Sequence, residues 1–369
     1  MEKKKLRVAF AGGGSGGHLY PQIAVAGEIR KMAPETEIFF VSTKGSIEER
    51  LVPKDGYELI LIPSGKLKGQ NPIAMVKTML SLFVSVFVCL GILLRRRPDL
   101  IFSAGGYAGA PFLVVGSLLG IPCQILEQNR MPGLANRWMA KFCRRVYVNF
   151  AGSKELFTEK EVIVVGHPCR PEIEKARWPE GEWKERFAAN PFKVFVFGGS
   201  QGAMGINRLV TAASAHLKDL DINILHQTGE ADHERVRKEY EAAGFKRVRV
   251  EKYVYGMGEA LGDCHLVICR AGASSMAELA AAAKASLLIP LVSKDRHQEF
   301  NAQEMDKLGA AITRLQGSLT GESLAALIRE LCRDRSRLSA LAAKMSQLHH
   351  SDAANRIAKG LDIAVITLV

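Results

Sequence analysis

The sequence predicts an α/β protein built of two doubly wound halves, each a parallel sheet with helices on both faces, facing each other across a cleft. Three observations predict it. Short apolar runs alternate with helical segments over most of the chain. Three glycine clusters, beginning at Gly12, Gly105 and Gly198, each follow such a run and precede a helix. The plan then restarts at Lys193, after a charged and irregular interval.

The elements follow in order. Residues 6–11 form a strand, Gly12-Gly13-Gly14-Ser15-Gly16-Gly17-His18 a turn and 22–31 a helix. Glycines let backbone N–H groups approach an oxyanion, and the new helix adds the positive end of its dipole. Strands at 38–42 and 57–62 flank a helical stretch at 47–52. Residues 78–94 carry no charge and are followed by Arg95-Arg96-Arg97. They fall short of the ~20 apolar residues that a membrane-spanning helix needs. Ser81, Ser85 and Cys89 recur every four positions, which suits close packing on a sheet, and Phe83, Phe87, Leu90 and Leu94 lie around the rest. Two readings stand: a helix buried on most sides, or a helix whose apolar face, flanked by Lys66, Lys68, Lys77 and the arginines, rests on an anionic membrane.

A strand at 100–104 ends in Gly105-Gly106-Tyr107-Ala108-Gly109, with a helix from about Pro111. A short strand at 124–126 delivers Glu127-Gln128-Asn129 to the carboxyl edge, where open α/β sheets bind ligands, and helix follows through Phe142. The strand at 162–165 ends in Gly166-His167-Pro168-Cys169-Arg170-Pro171. The charged interval 172–191, with Trp178-Pro179, marks a boundary, giving an N-terminal domain 1–168 and a C-terminal domain 169–349. In the second half, the strand 193–197, Gly198-Gly199-Ser200-Gln201-Gly202 and a helix lead to strands at 222–225, 248–251, 266–269 and 287–289, with a helix at 275–283. Helices at 321–332 and 338–347 are amphipathic, and a late helix within about 350–369 is placed to pack back on the first domain.

Fifty Lys and Arg against 38 Asp and Glu give a formal charge of +12, which points to nucleotide phosphates, nucleic acid or an acidic membrane surface as partner. Aromatics make up only 7% and are not interleaved with the basic runs, which argues against nucleic acid. Seven scattered cysteines without a Cys-x-x-Cys pair read as reduced thiols of a cytosolic protein, with no disulfide framework or zinc site. The basic start 1–5 is not a signal peptide, because the apolar stretch behind it is short and contains Arg7.

Gly12, Gly14 and Gly17 fit G-x-G-x-x-G, but the dinucleotide fingerprint wants an acid about 20 residues on, at the end of the second strand. That strand ends Ser42-Thr43-Lys44, so the ribose ligand is missing. A P-loop fails too, since no glycine cluster runs into Gly-Lys-Ser or Gly-Lys-Thr. His18, at a helix start, tends to be kept neutral by the positive helix end, as suits a general base; the plainer role is to cap its own turn. Asp219-Leu220-Asp221 has the spacing of metal-dependent sugar transferases but lies before a strand, at the edge opposite the ligand side, so it reads as a turn and no metal or other cofactor is expected. Glu278 follows the strand 266–269 and sits one to two turns into a helix. Its carboxylate can accept both hydroxyls of a ribose, or simply favour the helix N-terminus. Residues 295–301, Asp-Arg-His-Gln-Glu-Phe-Asn, read as a polar loop facing the cleft.

Taken together and in order, these motifs resemble the MurG family of bacterial peptidoglycan N-acetylglucosaminyltransferases, nearly end to end: 13–18, 105–111 and 198–203 as its three glycine loops, with 127–129, 166–170, 270–278 and 295–301 between and after them. The resemblance implies two Rossmann-like domains in the GT-B arrangement. It implies inverting transfer of N-acetylglucosamine from UDP-N-acetylglucosamine to the muramoyl 4-hydroxyl of undecaprenyl-pyrophosphoryl-MurNAc-pentapeptide (lipid I), giving lipid II and UDP for peptidoglycan synthesis. By the family pattern Ser200 and its loop (Gly198, Gly199, Gln201, Gly202) meet the pyrophosphate, and Glu278 takes the ribose. Arg170 and the backbone near Val254 flank the uracil, while Ala273, Ser274, Ser275, Met276, Ala277 and Gln298 border nucleotide and sugar. From the first domain, Ser15, Gly16, Gly17 and Asn129 approach the transferred sugar and acceptor, beside loops of Gly13, Gly14, Gly105, Gly106 and Tyr107. His18 is cast as the base, with Glu127 the other candidate. One departure is Leu126, where members often carry a histidine before Glu-Gln-Asn. The implied setting is peripheral, on the cytoplasmic face of the inner membrane, with the cell-wall and division machinery as partners.

Two rivals are weighed against this. Another enzyme on the same fold, such as a UDP-sugar 2-epimerase or glycolipid synthase, is not expected to combine Gly-Gly-His with Glu-Gln-Asn. A basic binding module predicts salt-sensitive binding to anionic lipid or nucleic acid without turnover.

Overall fold

The computed structural model of the chain describes residues 5–14, 16–63, 72–106, 109–157, 160–199 and 201–361. The two doubly wound α/β halves expected from the sequence are both present, and every strand pair is parallel. The first sheet comprises β1 (Arg7–Ala11), β2 (Glu37–Thr43), β3 (Glu58–Ile62), β4 (Leu100–Ser103), β5 (Cys123–Glu127), β6 (Arg145–Val148) and β7 (Glu161–Val164), in the spatial order β3-β2-β1-β4-β5-β6-β7. The second comprises β8 (Phe192–Phe197), β9 (Ile222–Gln227), β10 (Val248–Glu251), β11 (Leu266–Cys269), β12 (Ala285–Leu288) and β13 (Ile312–Thr313), in the order β10-β9-β8-β11-β12-β13. In each sheet the strand order reverses beside the first strand, between β1 and β4 and between β8 and β11. That is where an open parallel sheet forms a ligand crevice. Contacts divide the chain into two compact units, Met1–Pro168 with His350–Val369, and Cys169–His349.

β1 turns Val8 and Phe10 to one face and Ala9 and Ala11 to the other, all fully buried. A strand covered on both faces has no polar side, and this is why it reads as an unbroken apolar run. The helix Gly16–Met32 packs Leu19, Val25, Ala26 and Ile29 into the core with Val8 and Phe10. The helix Pro72–Arg96 places Cys89 and Leu93 in the core with Ala9 and Ala11. Its small-residue face is the inward one, with Ser85 and Cys89 fully buried. The opposite face is solvent-exposed and apolar: Phe83 is 63% exposed and Phe87 59%, beside Val84, Val86 and Leu94. Over residues 83–96 the helix is therefore buried on one side only, and no helix among the described residues is long and apolar enough to cross a membrane.

The helix Ala353–Gly360 returns to the first unit. Ile357, Ala358 and Leu361 join the core that holds Val25 and Ile29, and Asn355 donates to Glu28 at 3.2 Å. The expected continuation to residue 369 lies outside the described residues.

The charged interval 172–191 packs rather than dangling. Trp178, Trp183 and Phe187 enter the core of the second unit, where burying a side chain such as Phe187 contributes roughly 1.5–3 kcal/mol. The Trp178 indole donates to Gly262 O at 2.6 Å, and the ammonium of buried Lys284 lies 3.4 Å from the centre of its ring.

Candidate active site

Segments after β1, β2, β4, β5 and β7 meet at the carboxyl edge of the first unit. The loops after β1 and β4 interlock, with Gly13 N donating to Gly105 O at 3.2 Å. A Cβ on Gly106, at φ +91°, would lie 2.4 Å from Gly13 O, so only glycine serves there. The buried Glu48, from the short helix Glu48–Leu51, accepts Gly14 N at 2.9 Å. One amide of the first glycine loop is thus committed to a carboxyl group, which suits the loop less to a free anion than a bare phosphate cradle. After β5, the Gln128 amide donates to Ala104 O at 2.9 Å, and its oxygen meets His167 Nε2 at 3.2 Å. This side chain ties the second glycine loop to the segment leaving β7.

His18 occupies the third position of the helix Gly16–Met32. Burial lowers its imidazole to about 4, in keeping with a neutral ring near pH 7. Glu127, the last residue of β5, is 1% exposed. Its Oε1 accepts Asn129 N at 2.8 Å and Asn129 Nδ2 at 3.3 Å, and its Oε2 accepts Asn136 Nδ2 at 2.8 Å and Gly133 N at 3.2 Å. Burial pushes this carboxyl above its ordinary range, against the pull of those four donors.

In the second unit, the loop after β8 leans on the end of β9. Gly202, at φ +75°, has Thr228 O 1.9 Å from where a Cβ would stand, so a side chain would drive the loop off its support. Asn207, in the helix Met204–Ser214, donates to Thr228 O at 3.0 Å and Asp232 Oδ2 at 2.7 Å. Its oxygen therefore accepts from His226 Nε2 at 3.1 Å, which leaves His226 Nδ1 to accept the Tyr240 hydroxyl at 2.8 Å. Burial lowers His226 to about 3, in keeping with a neutral ring. Gln227, beside it, donates to Gly199 O and accepts Val254 N.

Beyond β11, Gly272 precedes the helix Ala273–Ala281, whose first turns hold Ala273, Ser274, Ser275, Met276 and Ala277. Arg170 donates to Glu278 Oε1 at 2.8 Å and also pairs with Glu172 at 3.2 Å. Burial raises the Glu278 carboxyl, and Arg170 opposes that rise. Arg270 donates to Ile289 O, Pro290 O and Gln316 Oε1 at 2.9, 3.1 and 2.7 Å, pinning the end of β12. Gln298 Oε1 accepts Leu291 N at 2.9 Å.

The structure thus groups Gly13, Gly14, Gly105 and Gly106 in one interlock, Glu127 with Asn129, and Arg170 with Glu278. Ser15, Tyr107, Ser200, Lys66 and Lys68 lie outside the described residues. Residues 295–301 depart from the expected loop: only Asp295 and Arg296 precede the helix His297–Lys307, because Glu299, Asn301 and Ala302 are buried on its inner side and Asn301 donates to Ala271 O at 3.1 Å. Asp219 and Asp221 pair with Arg329 and Arg247, and Arg329 holds Asp219 down to about 2. Sequence reasoning missed Glu48, Asn136, Asn207 and Gln227. The rule that singled out Glu127, a polar residue ending a buried strand, finds Gln227 as well.

Residues 8–148 match the sequence model of the glycosyltransferase family 28 N-terminal domain, and residues 193–357 that of its C-terminal domain. A UDP-N-acetylglucosamine--N-acetylmuramyl-(pentapeptide) pyrophosphoryl-undecaprenol N-acetylglucosamine transferase of Myxococcus xanthus is 38% identical over 99% of this chain and 94% of its own length. The enzyme of the same name from Citrifermentans bemidjiense is 38% identical over 96% of this chain and 99% of its own. Among solved structures, Acinetobacter baumannii MurG superposes with a TM-score of 0.79 at 26% identity, covering 97% of this chain and 99% of that one. A UDP-glucose:anthocyanidin 3-O-glucosyltransferase in complex with UDP, at 15% identity and a TM-score of 0.70 over 98% and 99% of the two chains, shares the fold alone.

Proposed function

The chain belongs to glycosyltransferase family 28, among its UDP-N-acetylglucosamine--N-acetylmuramyl-(pentapeptide) pyrophosphoryl-undecaprenol N-acetylglucosamine transferases, and we infer from this that it moves N-acetylglucosamine from UDP-N-acetylglucosamine to the lipid-linked muramoyl-pentapeptide. The observation that carries this is the match over 99% of the chain to an enzyme named for that reaction. It is an N-acetylglucosaminyltransferase of peptidoglycan synthesis.

The finer assignments are our proposal. The second unit binds the donor: the loop 198–202 meets the pyrophosphate, Glu278 the ribose, and Arg170 with the Val254 segment the uracil. Amides of a glycine loop and a helix start can stabilise the departing diphosphate's charge. His18 accepts the proton of the muramoyl 4-hydroxyl as that oxygen attacks the anomeric carbon, displacing UDP with inversion. Its neutral ring supports this role, since a base has to be unprotonated to act. Glu127, with both oxygens engaged by Asn129, Gly133 and Asn136, is better suited to holding Asn129 in place.

The exposed face of Phe83, Val84, Val86, Phe87 and Leu94, with the exposed Arg95 and Arg97 at its end, supports peripheral attachment to an anionic membrane, where a polyprenyl acceptor resides. The inner-membrane surface facing the cytoplasm supplies that setting. The deciding assay is UDP release from UDP-N-acetylglucosamine with and without lipid-linked muramoyl-pentapeptide. Release should require the acceptor, and equal use of UDP-glucose or acceptor-independent release would refute the reading.

A further inference from the structure

Gln227 ends β9 and is 1% exposed, yet it has no role in the scheme above. Its amide nitrogen donates to Gly199 O at 3.0 Å, and its amide oxygen accepts Val254 N at 2.8 Å. The two contacts fix the orientation of the amide, since a carbonyl only accepts and an N–H only donates. Gly199 follows β8 and Val254 follows β10, and β9 runs between those strands. One side chain on the middle strand therefore spans the loops of both neighbours. The Gly199 carbonyl also accepts Gly202 N at 2.9 Å, a bond within the loop that does not depend on Gln227.

We propose that Gln227 is a positioning residue that sets the separation between the diphosphate loop and the base-flanking segment. This deepens the donor-site reading above and rests on it. Gln227 touches no part of the donor; it fixes the span that a nucleoside diphosphate fills. A ligand that engages both loops gains from their being held in register beforehand, whereas a ligand that engages one loop does not.

The test compares ligands that reach one loop or both. Gln227→Leu keeps much of the volume and removes both hydrogen bonds. Gln227→Met likewise removes both hydrogen bonds, with a flexible side chain of similar volume and no charge. Calorimetric titration of the full chain with UDP, uridine and inorganic pyrophosphate should show UDP weakened about tenfold in Gln227→Leu, with uridine and pyrophosphate within about threefold of the parent. The KM for UDP-N-acetylglucosamine should rise with the loss of UDP affinity, while kcat at saturating donor stays within about threefold. Unchanged UDP affinity, or equal weakening of uridine and UDP, overturns the proposal. If Gln227→Leu does not fold, the same comparison with Gln227→Met decides. A parent chain that binds no UDP overturns instead the donor-site reading underneath.

Discussion

Arg170 and Glu278, more than a hundred residues apart in sequence, meet at 2.8 Å in the second unit, joining the start of the helix Pro171–Glu174 to the helix Ala273–Ala281. Both side chains are largely buried, so removing one partner strands the other in a poorly solvated place. Arg170→Met should raise KM for UDP-N-acetylglucosamine about tenfold or more, as the Glu278 carboxyl, freed from its counter-charge, moves further up in pKa. A double-mutant cycle with Glu278→Gln, read from donor affinity and urea unfolding, should give a coupling of about 1–3 kcal/mol. Additive effects would mean that the two act separately.

His18→Ala should lower kcat by about a hundredfold or more while UDP affinity stays within about threefold, because only proton removal is lost. The pH dependence has a definite sign. Burial depresses the folded-state pKa from 6.5 to about 4, and the neutral ring is the active form. Activity should hold as pH falls through 6.5 and decline only toward 4. An acid limb of kcat/KM centred near 6.5 would place the base elsewhere.

For Glu127 the expected loss is structural as well as functional. Glu127→Gln replaces one acceptor oxygen by an NH2 that faces donors, either at Asn129 or at Gly133 and Asn136. Stability to urea should drop by about 1–3 kcal/mol, the usual consequence of leaving buried donors unmatched. If Glu127→Gln lowers kcat with no change in stability, Glu127 takes part in the chemistry.

On the exposed face of the helix Pro72–Arg96, Phe87→Asp with Leu94→Asp should weaken binding to anionic vesicles at least about tenfold and leave turnover of a soluble acceptor analogue within about twofold. Both positions are more than half exposed, so the melting temperature should hardly move. A collapse in thermal stability would show that this face is covered in the folded protein.

Much of the fold was legible because the central strands β1, β4, β5, β8, β11 and β12 are buried on both faces and read as short apolar runs, three of them leading into glycine clusters. β6 escaped notice because its run, Arg-Val-Tyr-Val, is short and its Tyr147 carries a hydroxyl; buried, that hydroxyl donates to Gln124 Oε1 at 2.7 Å. The glycine loops were legible for the same backbone reason that makes them necessary: Gly106 and Gly202 admit no side chain. Contacts between distant strand ends were not. Nothing near Glu48 in the sequence announces Gly14, and nothing near Arg170 announces Glu278, because a carboxyl group or guanidinium has the same local signature whether it meets solvent or a partner from another loop. The helix His297–Lys307 was misread as a loop because its inward face carries Glu299 and Asn301, polar residues that conceal the apolar stripe by which a helix is recognised.

The return of Ala353–Gly360 to the first unit has a consequence for how the protein is made. The side chains that complete the packing around the His18-bearing helix, Ile357, Ala358 and Leu361, are made only after residues 169–349, which form one uninterrupted stretch. A nascent chain cut short before residue 353 therefore carries every part of its second unit and a first unit whose roof is missing. Such a product leaves bare the apolar surface that Ile357, Ala358 and Leu361 cover in the complete unit, and surface of that kind draws proteases and chaperones.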